Sequence, residues 1–221
     1  MGIFKIFKEI FTGNKVADKE ATNDKLFQSE NHYDDPERAR KAFYKSKMKL
    51  FDVAKWSLLD EPTSKFELYK SNGTPVKSKK PRVGDYIKID LPGPTPENWV
   101  KVVEVIDNDS AASFTVSPSE DPREKDGEIE HFFIKEATSE FKVELVGNTI
   151  KGYEIGKKEG INNAGYEAGR RALINTLIAE GGWAGFQDYQ WNKVTDYFVH
   201  KKEIKKVIKK KKITSPPDDK S

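Results

Sequence analysis

The sequence predicts an α+β protein, a small antiparallel barrel-like sheet of SH3- or OB-like type flanked by a long N-terminal helix and a C-terminal helical pair. Three observations predict it. Between Val83 and Ile155 apolar residues recur at the two-residue period of strands. Turn residues break these runs roughly every ten positions, the rhythm of short strands closing on one another. Before and after this stretch the apolar spacing becomes helical.

Composition sets the frame. The chain has 221 residues, 36% hydrophobic and 34% charged, which suffices for one domain with a real core, and a mean hydropathy of −0.76 assigns the rest to polar tails. The expected organisation is a leader at 1–13, a flexible linker at 14–35, one α+β domain at 36–200 with its barrel-like core at 83–155, and a lysine-rich helix end and tail at 201–221. There is no cysteine, so disulfides and thiolate chemistry are excluded and a reducing, cytoplasmic setting is allowed.

In the leader, Ile3, Phe4, Ile6, Phe7, Ile10 and Phe11 are apolar while Lys5, Lys8 and Glu9 are charged, so a helix here is sharply two-faced, and Gly13 stops it. Charges interrupt the run too early for a secretory signal, and no apolar stretch reaches membrane-span length. Ile6 stands where N-myristoylation needs Ser or Thr, which makes Gly2 a weak lipidation candidate. Two readings follow. The six apolar residues attach the protein to a partner assembly or to an anionic membrane surface, as a peripheral protein, or they fold back on the domain's own core. The polar run from Asn14 to Asp35, with only Val16, Leu26 and Phe27 as large apolar residues, reads as a linker.

Asp35-Pro36-Glu37 starts a helix, with Asp as N-cap, Pro at the first helical position and an acid in the first turn. Ala39, Ala42, Phe43, Leu50, Val53, Ala54 and Leu58 continue it to about Leu59, with lysines and arginines on a solvated opposite side. Ser64–Lys70 offers an extra strand before the turn Ser71-Asn72-Gly73.

The six core strands come next. They begin at Val83, Trp99, Ser113, Ile129, Phe141 and Thr149, and Val103 and Val105 make the second strand apolar on both faces, as in a central strand. The prolines of Leu91–Asn98 stiffen the loop that delivers Trp99, expected as a lid on the barrel core. Gly147-Asn148 is a two-residue hairpin turn, since both residues tolerate positive φ. A competing reading notes Gly152, Gly156, Gly160, Gly165 and Gly169, the spacing of one closely packed helix.

Ala164–Glu180 has helical spacing, with Asn162 or Asn163 as cap and Gly181-Gly182 as stop. A last helix from Ala184 or Gln187 is expected to run through Ile208. Between Lys201 and Lys212 lie eight lysines and one glutamate, a local charge of +7 in a chain whose net charge is +3, so the remainder is negative. Lys201, Lys202, Lys205, Lys206, Lys209 and Lys210 are thus the candidate contacts to phosphate or anionic lipid.

Signals for catalysis are poor. No phosphate loop, metal-spaced histidine pair, nucleophile elbow or kinase set is present, so no catalytic residue, metal ligand or cofactor is expected. Glu128, Glu130 and His131 are close in sequence, but in a strand His131 faces away from the two acids. The leading expectation is a non-enzymatic adaptor or docking protein attached through its leader. The alternatives are a weak nucleic-acid binder using the barrel and the lysine-rich helix, and a hydrolase whose site the sequence does not reveal.

Overall fold

The computed structural model describes residues 23–60, 63–76, 80–92, 97–124, 135–159 and 182–205. The leader, the expected strand at 129–134 with Glu128, Glu130 and His131, the expected helix at 164–180, and Lys206, Lys209 and Lys210 lie outside these residues.

The described elements are β1 (Asn23–His32), α1 (Pro36–Phe51), a 3-10 turn (Val53–Leu58), β2 (Lys65–Tyr69), β3 (Tyr86–Asp90), β4 (Asn98–Asp107), β5 (Ala111–Ser119), β6 (Thr138–Val146), β7 (Thr149–Glu159) and α2 (Gly182–Phe198). The strands form one antiparallel sheet in the order β1-β7-β6-β5-β4-β3-β2. Its two ends, β1 and β2, do not pair, so the sheet is open. The closed SH3- or OB-like barrel is therefore corrected to a seven-stranded open sheet.

Two strands lie outside the expected core. Residues 23–32, read from sequence as linker, form β1 and pair with β7 from Asn23 to His32. β2 extends the other side, and its free edge is partly covered by the Tyr69–Pro75 bridge and by Val76 N–H donating to the Leu68 carbonyl.

What covers the inner face explains the open form. Phe66 and Leu68, Ile87, Val100 and Val102, Phe114 and Val116, Phe141 and Val143, and Ile150 are buried along successive strands. α1 packs on β6 and β7, and α2 packs on β1 and β7. Helices bury this face, so the sheet does not have to close on itself to do so.

α1 starts as its sequence requires, with the Asp35 carboxylate accepting from Arg38 N–H at 2.7 Å. It ends at Phe51, shorter than the helix expected to Leu59, because Asp52 leaves helical backbone (φ −89°, ψ 67°) and a 3-10 turn follows. That turn places Trp56 at the centre of the core, with ring centroids 4.9 Å from Phe141, 5.3 Å from Phe198, 5.4 Å from Phe66 and 6.0 Å from Phe114. The Trp56 indole N–H is satisfied by the Lys49 carbonyl at 3.0 Å.

β4 carries a bulge between Val102 and Glu104. The extra residue, Val103, is exposed, while Val105 pairs with Phe114 and packs against the core. The doubly apolar pattern of this strand thus reports an inserted residue. Gly147, at φ +59°, joins β6 to β7 as the hairpin reading requires.

Candidate functional site

Ile87 and Ile89 on β3, Val100 on β4, and Val116 and Pro118 on β5 line one end of the inner face, with Thr138, Ser139 and Phe141 on β6. Strand alternation puts all of these except Thr138 on one side of the sheet, and Thr138 borders the space from the start of β6. Trp56, Phe66, Ala137 and Trp191 complete a cavity of about 40 Å³. This is room for a few waters or a short apolar group. Pro118, near the end of β5, and Ala137–Ser139, at the start of β6, place it beside the connection between those strands.

Trp191 brings a buried indole N–H to this mostly apolar lining. Its ring is held edge-on by Phe141 at 5.3 Å and tilted against Phe66 at 6.3 Å, and it is buried. Its indole N–H meets no acceptor among the described residues. A buried donor without a partner costs roughly 1–3 kcal/mol. The neighbouring Gln190 is differently engaged, its side-chain oxygen accepting from Ser64 N–H at 2.8 Å.

Two other arrangements have chemical interest but are structural. Ser46 and His200 form a serine–histidine pair at 3.0 Å, yet Ser46 is fully buried within α1. The same ring nitrogen, Nε2, lies 2.9 Å from the Ala42 carbonyl, to which it can only donate, and the Ser46 hydroxyl donates to that carbonyl at 3.2 Å. With Nε2 carrying its hydrogen, His200 cannot take a proton from Ser46. Burial keeps His200 below its ordinary pKa, and nearby Lys49 and Lys45 add to this. Lys193, buried with Nζ 2.5 Å from the Asp60 carbonyl and over the Tyr189 ring, has its pKa lowered to about 8 by burial and by Lys202. Among the described residues no group of three His, Cys, Asp or Glu converges to hold a metal ion.

The described candidate lysines do not continue the last helix. α2 ends at Phe198, because His200 takes a left-handed conformation at φ +65°. Lys201 N–H then closes on the Asp196 carbonyl at 2.8 Å and His200 N–H on Tyr197 at 3.3 Å, a Schellman end with histidine where glycine is usual. Lys201 and Lys202 follow that end. Lys205 is tied to the body, its N–H donating to the Leu58 carbonyl at 3.1 Å and its Nζ lying 3.6 Å from Asp60 Oδ1. The expected helix through Ile208 is corrected accordingly.

Trp99 is placed on the outer face, away from the cavity, and not as a lid on the core. It is buried between Tyr69, edge-on at 4.9 Å, and the Arg123 guanidinium at 4.9 Å. Arg123 is in turn fixed by Asp121 at 2.5 Å and Glu97 at 2.7 Å. Sequence reading missed Trp191, Thr138 and Ser139, which belong to no motif and come together only in the folded sheet.

No family model and no curated protein matches this chain. Among solved structures, it is similar to a hypothetical protein from Helicobacter pylori at 12% identity, covering 80% of this chain and 88% of that one, with a TM-score of 0.46. Norcoclaurine synthase from Thalictrum flavum aligns at 14% identity over 87% of this chain and 96% of its own, with a TM-score of 0.38. A protein from Arthrobacter aurescens aligns at 13% identity over 80% and 87%, with a TM-score of 0.37. Likeness at this level carries no conclusion about function.

Proposed function

We propose that this protein is a binding protein that takes a small apolar molecule, or the apolar end of a larger one, into the inner-face cavity. The observation that carries this reading is Trp191, a buried indole in an apolar cavity whose N–H lacks an acceptor among the described residues. The ligand class follows. It offers a short hydrocarbon end to Ile87, Val100 and Val116 and one acceptor oxygen to Trp191. Titration with a medium-chain methyl ketone should shift the Trp191 indole N–H resonance saturably, and the alkane of equal length should do so less. A Trp191→Phe variant should bind the ketone about tenfold more weakly, the worth of one net hydrogen bond. An unmoved indole resonance at saturating ketone rejects the reading.

A second reading keeps Ile3, Phe4, Ile6, Phe7, Ile10 and Phe11 as an attachment element, making the protein an adaptor docked on a partner assembly or membrane surface. It is supported by the two-faced pattern of those residues. The position of β1 at the rim of the sheet also supports it, since the chain before Asn23 then joins the body at an edge. Among the described residues no helix is long and apolar enough to cross a membrane. Deleting residues 1–13 should leave the melting temperature nearly unchanged and abolish co-sedimentation with anionic vesicles or the partner. A loss of several degrees would instead place the leader in the core.

A further inference from the structure

A second concave site lies away from the cavity, between the turn that follows β2 and the turn that precedes β3. Lys70, Ser71, Val76, Lys80, Arg82, Val83 and Asp85 border a groove of about 600 Å³. That volume falls within the ~300–1,000 Å³ usual for small-molecule sites.

Both walls are held by their own backbone. Lys70 N–H donates to Thr74 and Gly73 N–H returns to Lys70, each at 2.9 Å, while Asp85 N–H donates to Arg82 at 2.9 Å and Gly84 N–H to Val102 at 2.9 Å. Gly73 at φ +75° and Gly84 at φ +91° permit these two turns. These hydrogen bonds fix the two turns that border the groove.

Its charge is unbalanced. Its lining holds three cationic residues and one acid, and the carboxylate of that acid, Asp85, already accepts from Arg82 N–H at 2.9 Å. Lys80 is paired with Asp107 and sits over the Phe51 ring. Lys70 and Arg82 make no ion pair among the described residues. Two unspent cations, one of them a planar fork of donors, match a group with two negative charges and several acceptor oxygens. A phosphate monoester is such a group, at about −1.5 to −2 near neutral pH. Val83, exposed at 64%, and Val76 supply apolar wall for the remainder of the ester.

We propose that this groove binds a phosphate monoester, with Arg82 and Lys70 gripping the phosphate and Val76 and Val83 contacting the esterified group. The site is independent of the cavity and of the lysine-rich C-terminal segment. Full-length protein is titrated with phenyl phosphate and, in a separate arm, with phosphatidylcholine vesicles containing phosphatidic acid. Saturable binding of phenyl phosphate, moving the amide resonances of Ser71, Val83 and Asp85, is the expected result. Arg82→Ala and Lys70→Ala should each weaken it about tenfold, as loss of a charge-assisted contact does. Vesicle binding lost in the double variant, with phenyl phosphate inert, assigns the phosphate to a lipid headgroup and keeps the site. Failure of both probes to bind, or equal affinity in wild type and double variant, overturns the proposal. The second result would move any phosphate contact to the lysine-rich segment.

Discussion

Gly152 of β7 lies directly against Phe198 of α2. A Cβ at position 152 would stand 3.1 Å from Phe198 Cβ, 3.1 Å from Val199 Cγ1 and 3.2 Å from the Thr195 carbonyl. Glycine at this point lets the end of α2 rest on the sheet, where any side chain would prop it away. Gly152→Val should therefore destabilise the protein by about 1–3 kcal/mol, the usual cost of overpacking. Gly152→Ala should cost less, because alanine also restrains the unfolded chain by about 0.4–1 kcal/mol. Urea unfolding checks this, with a lowered midpoint and an unchanged slope as the expected signature. Equal stability of the valine variant would show that α2 does not bear on β7 here.

His200 ties the end of α2 to the middle of α1 and should give stability a pH dependence. Its folded pKa is lowered from the ordinary 6.5, chiefly by burial, so below that value the unfolded state binds more protons than the folded state. Stability contributed by the neutral ring is complete above pH 6.5 and declines as pH falls through the window beneath it. The carboxylates are the same in the wild type and the control. His200→Asn keeps a residue that tolerates positive φ and removes the imidazole. Across pH 5.5–6.5, a range set by that histidine value, the wild type should lose stability and the variant should lose less. Parallel profiles would contradict this assignment.

On the outer face, Arg123 covers Trp99 and is covered in turn by the turn at Gly73, where a Cβ would meet Arg123 Cγ at 3.0 Å. Arg123→Ala should expose Trp99, shifting its indole resonance and raising quenching by acrylamide. The loss of stability should stay below about 1 kcal/mol, because partly exposed ion pairs are screened by water. The Arg123 side chain is 45% exposed, which places it in that class. A loss of several kcal/mol would mean that the outer cluster is a second core.

The strands were legible because alternation reports which positions face a buried side. Alternation does not report what covers that side, and so a helix-covered open sheet and a closed barrel look alike along β3 to β7. β1 was hidden for a different reason. Of its inner-facing residues only Phe27 is apolar, while Ser29 reaches the Asp196 carboxylate at 2.7 Å and Asn31 the Val199 carbonyl at 2.9 Å. A strand that meets its helix through hydrogen bonds reads as polar linker. The glycine spacing at 152 and 156 did signal close packing, but at Gly152 a helix packs onto the strand, not onto another helix. The end of α2 was missed because histidine, not glycine, takes the left-handed position. Trp191 and Ser139, far apart in sequence, border one cavity only after the sheet has formed.

The central claim is that the inner-face cavity is a ligand site, and filling it tests this most directly. Ala137 is buried on the cavity wall, and Ala137→Leu adds three carbons where about 40 Å³ is free. The measurement is the affinity of wild type and Ala137→Leu for a medium-chain methyl ketone, followed at the Trp191 indole resonance, with thermal melting to confirm that the variant is folded. The expected result is saturable binding to wild type and none to the folded variant. Equal binding by both, or none by wild type, contradicts the claim.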